Sequence, residues 1–254
     1  LHKTKGVAEW ADVSVNLFKG CYNDCLYCYA KNFAERGNWQ SRDTWTTMIP
    51  NEKNIKKRHK KYNGRVMFPT SHDITDDPFV FSTCLETLDK LLNWGNEVLI
   101  TTKPRFVVVK AICDNYLDKP ELKKLIQFRF TITSIIDTKL EFWEKNTPKY
   151  RERLESLEYA FNKGYKTSVS IEPMLDFHII GLINDIYPYI TESIWLGIMN
   201  YVSKELINDN DRYSEIIMIN STDHLKNLYF LLRDIPKIRF KDSIINKLKK
   251  EGVL

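Results

Sequence analysis

Short apolar runs and longer helical stripes alternate along nearly the whole chain. Val13, Val15 and Leu17 alternate with polar residues, which predicts a strand over residues 13–17. The stretch from Tyr29 to Arg36 reads as a helix stopped at Gly37. Residues 38–63 are irregular, polar and basic, and read as an excursion from the regular pattern. Arg65 to Phe68 reads as a short strand ending at Pro69. Phe81, Cys84, Leu85, Leu88 and Leu92 fall at helical spacing on a helix from about Phe79, which Gly95 closes. Glu97 to Thr101 follows as a strand, and Pro104 opens a helix with Val108, Ile112 and Tyr116 on one face. Further strands are predicted over 126–133, 165–171, 193–198 and 237–240. Helices are predicted over about 149–162, 178–189, 221–233 and at the basic C-terminal end.

These elements make six strand–helix units plus one extra short strand. Alternation of this kind implies an α/β fold with parallel strands joined by right-handed crossovers. Two architectures satisfy it, an open (β/α)6 barrel and a doubly wound sheet. Both place the working site at the carboxyl ends of the strands. The chain has 254 residues, which suits one domain over 1–254, with a core of about 12–200 and a C-terminal extension of about 201–254.

The chemistry concentrates in Gly20-Cys21-Tyr22-Asn23-Asp24-Cys25-Leu26-Tyr27-Cys28-Tyr29-Ala30, a C-x3-C-x2-C motif just after the first predicted strand. Three thiolates this close can face one metal centre, one fewer than the usual set for a cubane iron–sulfur cluster. An open coordination position is where a metal site does chemistry. A structural zinc site would want a fourth ligand, and His2 and His59 lack finger-like spacing. A disulfide framework belongs to small secreted chains, and Asn23 and Asp24 mark a polar turn rather than a core.

The motif resembles the cluster loop of the radical S-adenosylmethionine (SAM) superfamily. Tyr27-Cys28-Tyr29 is similar to the branch of spore photoproduct lyase and DNA-repair-photolyase-like proteins, shared with phage-encoded radical SAM proteins. The resemblance implies a partial (β/α)6 TIM-like barrel and a four-iron–four-sulfur (4Fe-4S) cluster on Cys21, Cys25 and Cys28. It further implies that SAM is chelated on the open iron and cleaved to methionine and a 5′-deoxyadenosyl radical. An electron donor such as flavodoxin or ferredoxin is implied as a partner.

Polar residues gather where the predicted strands finish: Thr70-Ser71-His72-Asp73, Thr101-Thr102-Lys103, Thr133-Ser134 and Glu172-Pro173. One rim would let them converge on a pocket. By resemblance, Lys103 contacts the SAM carboxylate, and Ser71, Asp73 and Ser134 lie near its amino group and ribose. Capping of the helix after Pro78 is an equal reading for Ser71 and Asp73. Glu172 reads as a buried polar contact, a solvated carboxylate, or a ligand of SAM or substrate. His72 reads as a hydrogen-bonded structural residue or a donor to substrate. Tyr29 matches a tyrosine of the lyase's radical relay, with packing against the loop as the alternative. The lyase's hydrogen-donating cysteine has no counterpart, because Pro69 stands in its place; Cys84 reads as core and Cys113 stays open.

Net charge is +5, with one dense run, Lys56-Lys57-Arg58-His59-Lys60-Lys61. The run suits phosphate contact or a solvated surface. A nucleic acid or nucleotide is therefore the expected substrate, with a peptide or small metabolite, or a non-enzymatic metal-binding adaptor, as alternatives. No apolar run of membrane-spanning length occurs. Reduced cysteines and an oxygen-sensitive cluster lead to the expectation of a cytoplasmic setting.

Overall fold

A computed structural model of the chain describes residues 6–201 and 210–254. Seven strands form one parallel sheet: β1 (Val13–Ser14), β4 (Val66–Phe68), β5 (Val98–Thr102), β6 (Ile126–Thr131), β7 (Lys166–Ile171), β8 (Ile194–Leu196) and β9 (Ile238–Phe240), in that spatial order. Among the described residues no ladder joins β1 to β9, so the sheet is an open, partial barrel. A separate antiparallel pair, β2 (Phe18–Lys19) and β3 (Ile49–Pro50), stands beside the cysteine loop. The C-terminal region supplies β9, a strand of the same sheet, so the expected extension completes the sheet edge.

The sheet's two faces differ in chemistry because successive strand residues point to opposite sides. Ile126, Phe128 and Phe130 of β6, Val169 and Ile171 of β7, and Val98 and Ile100 of β5 join the apolar core. Helices α3 (Pro78–Asn93), α4 (Phe106–Asn115) and α7 (Tyr150–Asn162) cover that face, contributing Leu88, Val109 and Leu157. The intervening residues Arg129, Thr131, Ser170, Arg239 and Thr101 line cavities on the other face. A doubly wound sheet would carry helices on both faces. Here the concave face is polar and hollow.

Helix boundaries follow ordinary chemistry. The Asp77 carboxylate accepts from the Phe79 and Val80 N–H groups, each at 3.0 Å, with Pro78 in the first turn of α3. Gly95, at φ +72°, lets the chain leave that helix toward β5. No helix of the described residues is long and apolar enough to cross a membrane.

Phe128 is fully buried between Phe130, stacked at 5.3 Å, and the edge of Tyr165 at 5.4 Å. Phe128→Ala is expected to lower unfolding free energy by about 3–5 kcal/mol, from lost transfer energy and the cavity left behind, as read from urea unfolding.

Candidate active site

β1 delivers the chain into the cysteine loop, and backbone geometry fixes how the loop closes. Gly20 adopts φ +84°, and a Cβ there would sit 2.4 Å from the Thr47 carbonyl oxygen. Only glycine fits. The Cys21 N–H donates to the Trp45 carbonyl and the Leu26 N–H to the Trp143 carbonyl, both at 2.9 Å. Cys28 caps helix α1 (Tyr29–Arg36), its sulfur accepting from the Lys31 N–H at 3.4 Å. Asn23 Nδ2 donates to Asp73 at 2.6 Å, and its Oδ1 accepts from Arg105 at 3.0 Å.

Cys21, Cys25 and Cys28 are free thiols that border one cavity of 620 Å³. Burial comes first in raising their pKa values; neighbouring thiols add to it at Cys21 and Cys25, whereas backbone N–H groups and the Lys103 and Lys31 charges oppose it at Cys28. Cys25 is pushed up to about 12, with Lys103 opposing the rise and Glu144 reinforcing it. Among the described residues no three His, Cys, Asp or Glu side chains are grouped to hold a single metal ion. In a cubane cluster each cysteine binds a different iron, so three ligands need not converge on one point.

Below the loop lies Glu144, fully buried, from the end of helix α6 (Asp137–Trp143). Its Oε1 accepts from the Tyr27 hydroxyl and from Thr133 Oγ1 at 2.9 Å, and its Oε2 forms an ion pair with Arg153 Nη2 at 2.6 Å. Lys103 Nζ stands 3.9 Å away and 5.5 Å from the centre of the Tyr27 ring. Burial would raise the Glu144 pKa, but Arg153, Lys103 and the Tyr27 hydroxyl outweigh it and lower the value. Burial would likewise lower Lys103, and the Cys25 and Glu144 charges reverse that, so Lys103 is held as a cation.

The sequence-predicted residues divide. Cys21, Cys25, Cys28, Tyr29, Ser71, His72, Asp73, Lys103 and Glu172 all border the cavity. Their engagements differ. The Asp73 carboxylate accepts from Asn23, Thr102 Oγ1 and the N–H groups of Ile74 and Lys103, at 2.5–2.9 Å, so both its oxygens are occupied. His72 Nε2 accepts from the Leu17 N–H and Nδ1 meets the Asp73 carbonyl, each at 3.0 Å. Neither ring nitrogen is left for a substrate, which favours its bracing role. The Tyr29 hydroxyl donates to the Thr70 carbonyl at 2.6 Å. Glu172 faces Lys241 at 3.8 Å, and Gly197 makes room for it, since a Cβ there would lie 2.6 Å from Glu172 Cγ. Ser134 departs from expectation: it is fully buried, bonds to Asp176 and the Ile136 N–H, and does not border the cavity. The turn after β6 spends its hydroxyl on local structure.

Glu144, Arg153, Asn16 and Lys241 escaped sequence reasoning. Asn16 accepts from the N–H groups of Thr70 and Ser71 and so shapes the β4 rim. None lies in a motif; a lone carboxylate after an aromatic pair and a lysine in a basic tail carry no local signal. The basic run 56–61 does not border the cavity. Lys61 bonds to the Gly95 carbonyl and Tyr62 N–H to Asn96, just before β5, at the amino ends of the strands. Cys84 and Cys113 are buried away from the cavity.

No protein-family profile and no curated protein matches the chain. Solved structures do. One is a spore photoproduct lyase variant with bound AdoMet and dinucleoside spore photoproduct, at 17% identity and TM-score 0.54, matched over 84% of this chain and 64% of that one. Another lyase variant gives TM-score 0.55 at 14% identity, over 94% of this chain and 79% of that one. Streptococcus suis SuiB bound to S-adenosylmethionine gives TM-score 0.50 at 12% identity, over 90% and 49%. The chain thus spans somewhat under two thirds of the first lyase structure. The fold is the one these radical SAM enzymes share.

Two outcomes follow from the buried polar groups. Glu144→Gln leaves Arg153 buried without its counter-charge, and is expected to cost about 3 kcal/mol in urea unfolding. Burial lowers the His72 pKa to about 4 from 6.5. The unfolded chain then binds the proton first, so stability falls as pH drops through 6.5 toward 4. Between pH 7 and pH 5 this group removes roughly 2 kcal/mol, and that part of the slope is expected to vanish in His72→Gln.

Proposed function

We propose that the protein is a radical SAM enzyme that abstracts a hydrogen atom from a nucleotide or nucleic-acid unit. The observation that carries this reading is the opening of all three loop thiols onto the same cavity as Lys103 and Ser71. The donor set fits a 4Fe-4S cluster: three free cysteines on a rigidly anchored loop, with the remaining cysteines remote from the cavity. Cys21, Cys25 and Cys28 would hold it. When bound, such a cluster supplies the electron that splits SAM into methionine and a 5′-deoxyadenosyl radical.

The chain's own residues then bind and orient. Lys103, kept cationic by Glu144 at 3.9 Å, offers its ammonium to the SAM carboxylate. Ser71, with its N–H held by Asn16 at 2.8 Å, turns a hydroxyl toward the amino group or ribose. Glu172 lies toward the far wall beside Lys241, where a substrate donor can meet it. Tyr29 is the candidate hydrogen-atom relay, its phenol fixed by Thr70.

The nucleotide part draws on the net charge of +5 and on the dinucleoside seen in the lyase neighbour. A base in a duplex would have to leave its stack to enter. Pro69 lines the cavity and, by the sequence resemblance, takes the place of the lyase's hydrogen-donating cysteine, so the product radical would take its hydrogen from another source than a cysteine. A reduced flavodoxin or ferredoxin would deliver electrons, in keeping with a cytoplasmic setting.

Anaerobic reconstitution is expected to give a brown protein with about four irons per chain. Reductant is expected to drive conversion of SAM to 5′-deoxyadenosine. Lys103→Ala should weaken SAM binding by roughly tenfold, about 1.4 kcal/mol, with iron content unchanged. Cys21→Ala should lose the cluster. A colourless protein holding zinc would favour the adaptor reading, and a reconstituted protein that forms no 5′-deoxyadenosine would overturn the SAM reading.

A further inference from the structure

The concave face holds a second cavity, of 240 Å³, at the amino ends of the strands. Arg65, Gln127, Arg129, Trp195 and Arg239 line it, and Trp10 stands between it and the cysteine cavity, bordering both. Its central group is Arg129, only 3% exposed. Nε donates to the Ser168 hydroxyl at 3.2 Å, while Nη1 is buried with no hydrogen-bond partner among the described residues. Trp10 and Trp195 lie over the guanidinium at 4.5 and 5.5 Å from their ring centres. Stacking occupies the flat faces of a guanidinium and leaves its in-plane N–H fork to seek oxygens.

The charges around it are unbalanced. Arg65 and Arg239 add two guanidinium groups, half-buried and exposed respectively. Arg239 Nη1 is turned to the Pro236 and Ile238 carbonyls, each at 2.7 Å, which orients it without neutralising it. Two carboxylates also line the cavity, Glu9 and Glu192. Glu9 is committed elsewhere: it pairs with Lys241 and accepts from the Asp242 N–H at 2.7 Å. Glu192 lines the cavity, and Glu172, shared with Lys241, reaches Arg129 only electrostatically from the neighbouring cavity. Burial, and next the Arg65 charge, bring the Arg129 pKa down to about 9, and the Glu172 and Glu192 charges offset this only in part. A buried cation with an open donor is costly unless an anion meets it.

We infer that this cavity is a second binding site, for a phosphate group, with Arg129 as the buried fork and Arg65 and Arg239 at the mouth. Planar forks suit phosphate oxygens, and three of them converge here. The space exceeds a bare phosphate, so a small phosphate ester fits as well. The inference is independent of the cluster chemistry, because no residue of the cysteine loop takes part.

The full chain is to be titrated with inorganic phosphate and with ribose 5-phosphate, against chloride at matched ionic strength. Melting temperature is expected to rise by roughly 3 °C at tenfold the Kd. Arg129→Met should abolish the rise, and Arg65→Gln with Arg239→Gln, which leaves the buried fork intact, should weaken binding at least about fivefold. A larger response to ribose 5-phosphate would assign the site to an ester; equal responses would assign it to the free ion. No rise beyond the chloride control, or an unchanged rise in the double variant, would overturn the proposal.

Discussion

A carboxylate removed from water must be met by charge and hydrogen bonds, and Glu144 meets that demand at the point where the rim is assembled. Its four neighbours come from separate segments: Tyr27 from the cysteine loop, Lys103 from the end of β5, Thr133 from the turn after β6, and Arg153 from α7. Cys25 forms an isolated bridge with Glu144 itself, so the backbone of the loop and the carboxylate move as one body. Arg153, fully buried, spreads its remaining donors over Pro148, Thr131 and Thr147. Removing either charge would strand the other in a medium that cannot solvate it. Asp73 repeats the device on the other side of the loop, joining Asn23 to Thr102 and Lys103. Two carboxylates thereby fix where three thiols and one ammonium stand.

The pattern of apolar residues carried the sheet well because parallel strands buried on the helix side repeat a strong signal. The seven parallel strands fall where alternation and short apolar runs predicted them, and helices α1, α3 and α7 lie within a residue or two of expectation. What escaped were elements whose stability is borrowed from elsewhere. The pair β2–β3 has two residues per strand and exists because Gln40, donating to Thr44 at 2.8 Å and Thr47 at 3.0 Å, folds the polar excursion back onto the loop. Helix α6 is seven residues long with no side-chain cap, and the helix Asn210–Ile219 likewise lacked a legible stripe. Short helices of this kind are held by packing rather than propensity.

For the candidate site, it was legible that the cysteines and Lys103 would share one cavity, because each follows a predicted strand and topology brings strand ends to one rim. The rest depended on which hydroxyl or carboxylate was already committed. Ser134 and Asp73 have the right residue types and the right strand ends, but local partners occupy them. His72 shows the same limit: a histidine beside an aspartate reads as chemistry, whereas here its Nε2 replaces a missing strand partner for the Leu17 N–H. Sequence reveals which groups can bind, and only three-dimensional accounting reveals which are free to do so.

The hollow face ties these points together. Along β6 the inward residues run Gln127, Arg129, Thr131, and at β9 they run from Arg239 to Lys241 just past its end, so each segment passes from the basic cavity to the cysteine cavity. An apolar filling, as in a closed barrel, would have left no room for either. Trp10 is the partition. It stacks edge-on to Trp195 at 5.9 Å and lies 4.0 Å from Lys241 Nζ, while Glu9 beside it pairs with that lysine. The N-terminal segment therefore fills the gap between the two sheet edges with side chains instead of a hydrogen-bonded ladder. This closure rests on the Glu9–Lys241 ion pair, on ring contacts, and on hydrogen bonds from the Asp242 N–H to Glu9 at 2.7 Å and from Lys241 Nζ to the Gly6 carbonyl at 2.9 Å. That side-chain wall stands directly beside both cavities, where Glu172 and Lys241 line the cysteine cavity 3.8 Å apart.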